Sequence, residues 1–560
     1  MNKFKTFFSN IFKYQTIEEH EFILPEKKDE ANYSNTDKQD DISTTNVEIF
    51  SKLSDNMNFV KEKYSKEINS DVEIREFSIT VKNKLYNAFL LFIDGMVDSD
   101  IINNYILKPL MLRNSANTYE DTPNQAESKN ITIKKDFNLD EYISNCLLPQ
   151  NSIKKSTNFK DLFSDVNSGN CALFIDTLNT AFDIDVKGFK QRSVESPKNE
   201  IVIRGSQEAF TEVIRTNTSL IRRLIHNENL IIEDISIGSV SDTACAVCYL
   251  KNIANDDLVN EVKYRLNNLN IDYLISSGQL EQLIEDDGNF SLPQTISTER
   301  PDKVSNYLLE GRVAILVNGS PYSLVVPGTF LDFIASPEDR NLKYQYANLL
   351  KLLRIVGIFI TLLLPGLYIA ISTFHQELIP TELLFAIAAS RVSVPFPIIF
   401  EIFVMEFSFE LIREAGVRVP SPVGPTIGIV GALILGQAAV NANIVSPILI
   451  IIVALTGICS FTIPDFSLSF HFRIARFIYI LLGYFAGFFG IAIGLFIHCL
   501  ILSAIHSFGA PYLQPYSPVT NISRSATYFL KPAWKREYRA DFLNTKKPRK
   551  QKHISMKWKY

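Results

Sequence analysis

Cysteine is scarce: six residues in 560 (Cys146, Cys171, Cys245, Cys248, Cys459 and Cys499), with the last two inside apolar stretches. Cysteines so few and so placed argue against a disulfide framework, and a reducing compartment fits the soluble part of the chain. Cys245 and Cys248 form a single CxxC, but positions i and i+3 of a strand point to opposite faces. No second pair or nearby histidine completes a zinc site there. Histidine numbers only 7, and His226, alone near a helix end, reads as structural. The patterns GxxxxGKS/T, HExxH and GxSxG are absent, which removes the P-loop, zincin and serine-hydrolase classes. The acids and bases of the soluble half form no constellation distinct from a solvated surface, so the chain is expected not to be an enzyme. No cofactor, metal or nucleic-acid partner is expected either. Met1 to Tyr14 carries three lysines but lacks the continuous apolar core and small-residue cleavage site of a secretory signal.

What is present divides the chain into unlike halves that the averages conceal (46% hydrophobic, 21% charged, net charge -5). Residues 26–46 are polar and nearly free of large apolar groups, so residues 1–45 are expected to be a disordered tail. From Val47 to about Arg340, short β-rich runs alternate with helical patterns. The expected fold is an α/β cytosolic N-terminal region of two subdomains, 46–190 and 191–345, followed by an α-helical polytopic membrane domain at 346–505 and a basic cytosolic tail at 506–560. In the first subdomain Ala88 to Asp94 reads as a buried strand, Asp100 to Leu112 as a helix, and Ala172 to Val186 as a hairpin turning at Asn179. Asn114 to Lys129 reads as an exposed loop. In the second, strands are expected at Ile201–Ile203, Leu230–Ile237, Ala244–Leu250, Ile271–Ile275 and Val313–Val317. Helices are expected at Gln207–Ile225, Asp256–Leu269 and Pro301–Leu309.

Ile355 to Phe374 is 20 residues without a charge, which at about 1.5 Å per residue matches the hydrocarbon core of a bilayer. Pro365 and Gly366 at its middle are tolerable where neighbouring helices or water take up the freed carbonyl. Leu383 to Met405 is apolar but holds Arg391, Pro395, Pro397 and Glu401. Val419 to Pro464 has no charge and is long enough for two passes broken near Asn441 and Asn443; Phe477 to Ser503 is a last apolar run. That makes about five segments, within a range of four to six. Arg340, Lys343, Lys351 and Arg354 precede the first, whereas Glu377 and Glu382 follow it, so the soluble half is expected to be cytosolic. The basic tail after Arg524 is expected on the same side, resting on anionic headgroups through Trp534 and Trp558. Two cytosolic ends need an even number of crossings, so one segment, Thr426 to Val440, is expected to be re-entrant.

The unusual stretch is Arg391 to Pro420. At about 100° per residue, Glu406, Glu410 and Arg413 share one helix face and Glu401 points away from it. Charges at membrane depth normally face a bundle interior, a water-filled path or each other. Arg391, Pro395, Pro397, Glu401, Glu406 and Glu410 are therefore the candidates for a pore or gate. The opposing reading places them in the interface, with Glu410 and Arg413 paired at i,i+3. Gly428, Ala432 and Gly436 recur every four residues, as do Gly483 with Gly487 and Gly490 with Gly494. Small residues at that spacing allow close helix packing.

Several motifs carry a resemblance: VIRGSQEAFTEVIRTNTSLIRRLI (Val202 to Ile225), TERPDKVSNYLLEGRVAILVNGSPYSLVVP (Thr298 to Pro327), SRVSVPFPIIFEIFVMEFSFELIREAGVRVPSPVG (Ser390 to Gly424), IGIVGALILGQAAV (Ile427 to Val440) and FGAPYLQPYSP (Phe508 to Pro518). In this order the chain resembles the A subunit of the GerA-type spore germinant receptors of endospore-forming bacteria. The resemblance implies a subunit of the spore inner membrane that assembles with a transporter-like B subunit and a lipoprotein C subunit. It also implies homo-oligomers of A subunits, contact with membrane lipids, and a nutrient-gated ion path lined by Pro395 to Glu410. The chain departs from the family at Val392, where an acid usually follows the arginine, and at Asn443, where glycine is usual. Two other readings stand beside this one: a non-conducting scaffold or signalling subunit, and a secondary transporter. The transporter reading lacks a second copy of Arg391 to Pro420.

Overall fold

The computed structural model describes residues 22–24, 47–81, 84–112, 139–188, 196–288, 290–418, 434–517 and 530–550. The expected tail (apart from residues 22–24), the loop Asn114–Lys129, Gly428, Ala432 and Trp558 fall outside these residues. Two five-stranded antiparallel sheets build the soluble half. The first contains β1 (Val72–Val81), β2 (Lys84–Ile93), β3 (Ile153–Ser156), β4 (Cys171–Ile175) and β5 (Ala181–Ile184), in the order β1-β2-β4-β5-β3. The second contains β6 (Leu230–Ile237), β7 (Thr243–Leu250), β8 (Ile296–Thr298), β9 (Val313–Val317) and β10 (Ser323–Val326), in the order β6-β7-β9-β10-β8. The two orders are the same. The helices match as well: α1 (Leu53–Lys63) precedes the first sheet and α2 (Phe159–Asn167) leads into β4, while α3 (Ile214–Leu224) precedes the second sheet. There α4 (Asp256–Asn267) and α5 (Ser277–Ile284) follow β7, and α6 (Pro301–Glu310) leads into β9. The soluble half is one α/β unit used twice.

Period-two alternation explains why helices cover both faces of the second sheet. Ala246, Cys248, Ala314 and Leu316 pack with α3 and α6, whereas Cys245, Val247, Ile315 and Val317 pack with α4 and α5. Cys245 and Cys248 thus lie on opposite faces. The subdomains are joined by a buried fork: Arg222 Nε and Nη2 donate to the two oxygens of Asp71 at 2.8 and 2.7 Å, and Nη2 also reaches Asn69 Oδ1 at 3.2 Å. Ser70 N–H adds a main-chain bond to Ile232 O at 2.9 Å.

Three expected elements differ. The helix expected from Gln207 starts only at Ile214, because Asn217 takes both backbone groups of Thr211 (2.8 and 2.6 Å) and Phe210 N–H bonds Glu299 O, holding 207–213 extended. Ile201–Ile203 is not a strand: Arg300 captures Glu200 O and Ser206 O on either side, and both isoleucines face solvent. Ile271–Ile275 does not join the sheet either, since Ile271 and Asp272 carbonyls accept only from the Gly238–Asp242 turn.

After the second sheet the chain becomes helical and apolar: α7 (Tyr344–Phe374), α8 (Thr381–Arg391), α9 (Ile398–Arg418), a short helix at 434–441, α10 (Pro447–Ser460) and α11 (Phe466–Ala504). By length and composition α7 and α11 can cross a membrane. Residues 471 and 498 of a straight helix would lie about 40 Å apart, yet the His471 and His498 rings are 5.2 Å apart. Gly487, at φ 57° and ψ -141°, folds α11 back on itself. Halves 466–486 and 488–504 run antiparallel, which the single expected run Phe477–Ser503 did not foresee. Gly490 and Gly494 permit the fold, since a Cβ on them would lie 2.4 Å from Leu482 O and 2.6 Å from Leu482 Cδ1. Gly483 meets α7 instead: its Cβ would lie 2.5 Å from Gly366 O, so the two backbones touch. Gly436 faces Ile450 at ordinary contact distance. Asn443, at φ 55°, occupies the left-handed region open to glycine or asparagine, which accounts for the departure at that position.

The basic C-terminal segment lies on protein. Lys546 Nζ pairs with Asp256 at 2.7 Å, Lys550 Nζ with Glu310 at 3.1 Å, and Lys546 N–H bonds Ile253 O. Trp534 packs edge-on to Tyr344. Within residues 530–550, Lys546, Lys550 and Arg539 thus reach the second subdomain, while Trp534 and Lys535 stay exposed. Within the stretch expected to be a tail, Leu24 is buried and donates to Gly509 O.

Two outcomes follow. Arg222→Ala leaves Asp71 buried without its partner and is expected to cost about 3–5 kcal/mol, read as a lower unfolding midpoint that Asp71→Leu with Arg222→Met largely restores. For Glu310, burial alone raises the carboxyl pKa, but Arg340, Lys550 and Arg312 outweigh it and hold the group at about 2. Its folded pKa lies below the unfolded value of about 4.3, so its stabilisation is complete above that pH and is lost as pH falls through about 2. Hydrogen exchange at 546–550 is expected to speed up across that window, and already at neutral pH in Glu310→Gln.

Candidate functional site

Two clusters of charge lie among the apolar helices. The first forms where the chain breaks between α8 and α9. Pro395 and Pro397 lie in the break at 392–397, and Pro397 O accepts the N–H groups of Phe400 and Glu401 to start α9. Glu401 is 1% exposed. Its Oε1 lies 3.3 Å from Arg391 Nη2, and its Oε2 accepts Ser446 N–H at 3.1 Å. One carboxylate thus ties the end of α8 to the entrance of α10. Val392, where the resembling family has an acid, is exposed, and Arg391 takes its partner ten residues further on.

The second cluster joins α9 to the first half of α11. Glu406 and Glu410, one turn apart, face Arg473 and Arg476, three residues apart, so that each pair occupies one helix face. Arg476 Nη2 lies 3.1 Å from Glu406 Oε2 and 2.8 Å from Glu410 Oε1. Arg473 forks onto both oxygens of Glu410, with Nε 3.1 Å from each. Arg413 approaches Glu410 at 3.5 Å and donates to Ser460 Oγ at 2.6 Å, with its guanidinium over the Phe409 and Phe461 rings. The i,i+3 pair expected of an interfacial site exists, but Glu410 is also held by two arginines of another helix.

Glu406 and Arg476 are wholly buried. Among the described residues neither Glu406 oxygen accepts a hydrogen bond, and Arg476 Nε and Nη1 donate none. A buried ion pair holds its charges cheaply only when the remaining lone pairs and protons are also satisfied. Here they are not, so the pair keeps hydrogen-bonding capacity that water or a passing ion can use.

These contacts fix the helix directions. Glu401 with Ser446 joins the N-terminal ends of α9 and α10, and Arg413 with Ser460 joins their C-terminal ends, so the two run parallel. Gly366 against Gly483 and His375 against Phe488, with ring centroids at 4.5 Å, set α7 parallel to 466–486. Ser291 Oγ, on the second subdomain, meets His471 Nδ1 at 2.7 Å near the start of α11.

The expected site residues therefore divide: Arg391 and Glu401 meet each other, and Glu406 meets Glu410 through Arg476. Arg473 and Arg476 carried no expectation. They sit just outside the charge-free run, although their i,i+3 spacing matches the acids at i,i+4. Ser446 contributes a backbone N–H, which side-chain patterns cannot announce.

The family model described as Bacillus/Clostridium GerA spore germination protein matches residues 58–542, including both clusters. The chain belongs to this GerA family. It is similar to spore germination protein KA of Bacillus subtilis (strain 168), 39% identical over 475 residues that cover 85% of this chain and 84% of that one. To GerLA of Bacillus cereus it is 34% identical over 477 residues, covering 85% and 93%. To spore germination protein A1 of B. subtilis it is 43% identical over 356 residues, covering 64% and 74%. A solved structure, the N-terminal domain of the A subunit of the Bacillus megaterium spore germinant receptor GerK3, aligns at 34% identity with a TM-score of 0.38, covering 51% of this chain and 98% of that one.

Removing one partner of the central GerA pair tests its burial. Arg476→Ala is expected to destabilise the protein in detergent by about 3–5 kcal/mol, and Glu406→Gln in the same chain to recover much of that loss in a thermal-unfolding assay.

Proposed function

We propose that this GerA-family chain is the A-type subunit of a nutrient germinant receptor, and that copies of it assemble to form an ion path through the membrane whose opening starts germination. The observation that carries this reading is the pair Glu406 and Arg476, buried among apolar helices with hydrogen-bonding capacity unspent. Relatives named for spore germination supply the physiological setting. The partners are a transporter-like B subunit and a lipoprotein C subunit, and the site is the spore inner membrane with the soluble half and the C-terminal segment in the cytosol. The path is lined by the Arg391–Glu401 contact, the Pro395–Pro397 break and the Glu406–Glu410 cluster.

Helix directions support six crossings. α7 leads away from the second subdomain, α9 and α10 run parallel and both return, which requires one outward pass between them, and the two halves of α11 lead away and return. An even number puts both ends on one side; residues 426–433 of the segment expected to be re-entrant lie outside the described residues.

The scaffold reading has its own observation: every charge of the clusters meets an internal partner, as a mechanical clamp also requires. The transporter reading gains little, because the repetition among the described residues lies in the two sheets.

The test is nutrient-triggered monovalent cation release from spores lacking this chain, complemented with wild type or Glu406→Gln at equal membrane abundance. The ion-path reading expects the variant to change the release rate by about tenfold or more, which is about 1.4 kcal/mol in barrier. Equal rates, together with tolerance of Glu401→Gln, would leave the scaffold reading standing.

A further inference from the structure

The fold-back of α11 brings together two histidines that stand 27 residues apart in the sequence, a spacing that belongs to no metal-ligand pattern. We propose that His471 and His498 form a binding site for a divalent cation of the zinc class, which joins the two antiparallel halves of α11. Their Nε2 atoms face each other at 3.5 Å. An N–H···N bond of that length is at the limit of what counts as a hydrogen bond. Two imidazoles on one tetrahedral zinc, with Zn–N of about 2.0–2.1 Å, hold their nitrogens about 3.3–3.4 Å apart. The pair is therefore spaced for a shared metal with little movement of either ring.

His471 is oriented from behind. Ser291 Oγ, on the second subdomain, lies 2.7 Å from Nδ1 of the same ring. Donation from Nδ1–H to that hydroxyl leaves Nε2 as the lone-pair nitrogen facing His498, which is how metal-ligating imidazoles are commonly held. The second ring is fixed by packing. His498 stacks on Phe472, with centroids 6.0 Å apart and planes 8° from parallel, and the Phe472 ring also stands edge-on to His471 at 5.4 Å. One aromatic side chain thus backs both imidazoles on the apolar side.

Among the described residues no third histidine, cysteine or carboxylate joins the pair, so water takes the remaining positions, as at open zinc sites. Both histidines are half-buried, which leaves room for that water and a route for the ion. Tyr479 adds an unspent group beside them. Its ring lies 6.3 Å from that of His498, and its Cζ would meet a Cβ on Gly494, one turn before His498, at 3.7 Å. Its buried hydroxyl has no hydrogen-bond partner among the described residues and can bond a metal-bound water. The ion joins 466–486 to 488–504 and, through Ser291, both to the second subdomain. Its occupancy therefore sets how firmly the helical hairpin is held on the soluble half.

Zinc uptake by the untagged full chain in lipid nanodiscs, stripped of metal and titrated against a chromophoric chelator, tests this. One zinc ion per chain is expected at micromolar free metal, with affinity about tenfold or more lower in His471→Gln and in His498→Gln. Ser291→Ala, at an exposed position of the soluble half, is expected to keep the fold and to weaken binding by about tenfold through the orientation of His471. His471→Cys/His498→Cys, assayed reduced, is expected to bind zinc again, because thiolate is a zinc ligand and a mere packing pair gives no such rescue. Absence of stoichiometric uptake at about 100 µM free zinc overturns the proposal, as does wild-type affinity in either folded histidine variant. Where a histidine variant fails to fold, Ser291→Ala decides: weaker uptake supports the site, and wild-type affinity overturns it. The readout is metal binding alone, so its outcome is separate from that of the ion-path reading.

Discussion

Everything in the apolar half depends on how charge is held where water is scarce. An ionised carboxylate inside a helical bundle costs several kcal/mol unless a cation and hydrogen bonds replace its hydration, so the positions of Arg473 and Arg476 dictate where α9 can pack on α11. Glu410 meets this demand fully, with three guanidinium groups around it. Glu406 meets it only in part. The same logic sets the entrance of α10, where Glu401 needs both Arg391 and the Ser446 N–H. Three acids on one helix thus fix the arrangement of α8, α9, α10 and the first half of α11.

That bundle is continuous with the soluble half. The core between α3, α6 and the second sheet runs on through Leu331, Phe333 and Tyr512 to Leu468, Phe472 and Tyr479 of α11. Ser291 on His471, and the docked segment 530–550, add polar ties at the same level. A change in how the two sheet subdomains sit on each other therefore has a packed route to the helices that carry the buried charges.

Much of this was legible in the sequence where a strong local period or a long unbroken run spoke. The strands at Leu230–Ile237 and Val313–Val317, the hairpin around Asn179 and the helix from Asp256 carry clean alternation or a clear start. The duplication of the sheets was not legible, because equivalent strands share hydrophobic pattern but little sequence. Helix 207–225 misled because Asn217 diverts the backbone locally, an effect that propensity does not contain. The fold-back at Gly487 was hidden inside a charge-free run, where GxxxG spacing speaks equally for packing and for a turn. At the site, the acids were found by their cost at membrane depth. Their arginine partners were not, because they stand a few residues outside the window that defines an apolar span.

The most direct measurement is a charge exchange at the central pair: Glu406→Arg, Arg476→Glu and the two together, each at matched membrane abundance, assayed by nutrient-triggered cation release. The account predicts that each single reversal fails to assemble or to release, and that the exchanged pair assembles again but releases cations at a rate clearly different from wild type. Assembly and wild-type release in the exchanged pair would contradict a place for these side chains in the ion path, leaving them as a clamp between two helices.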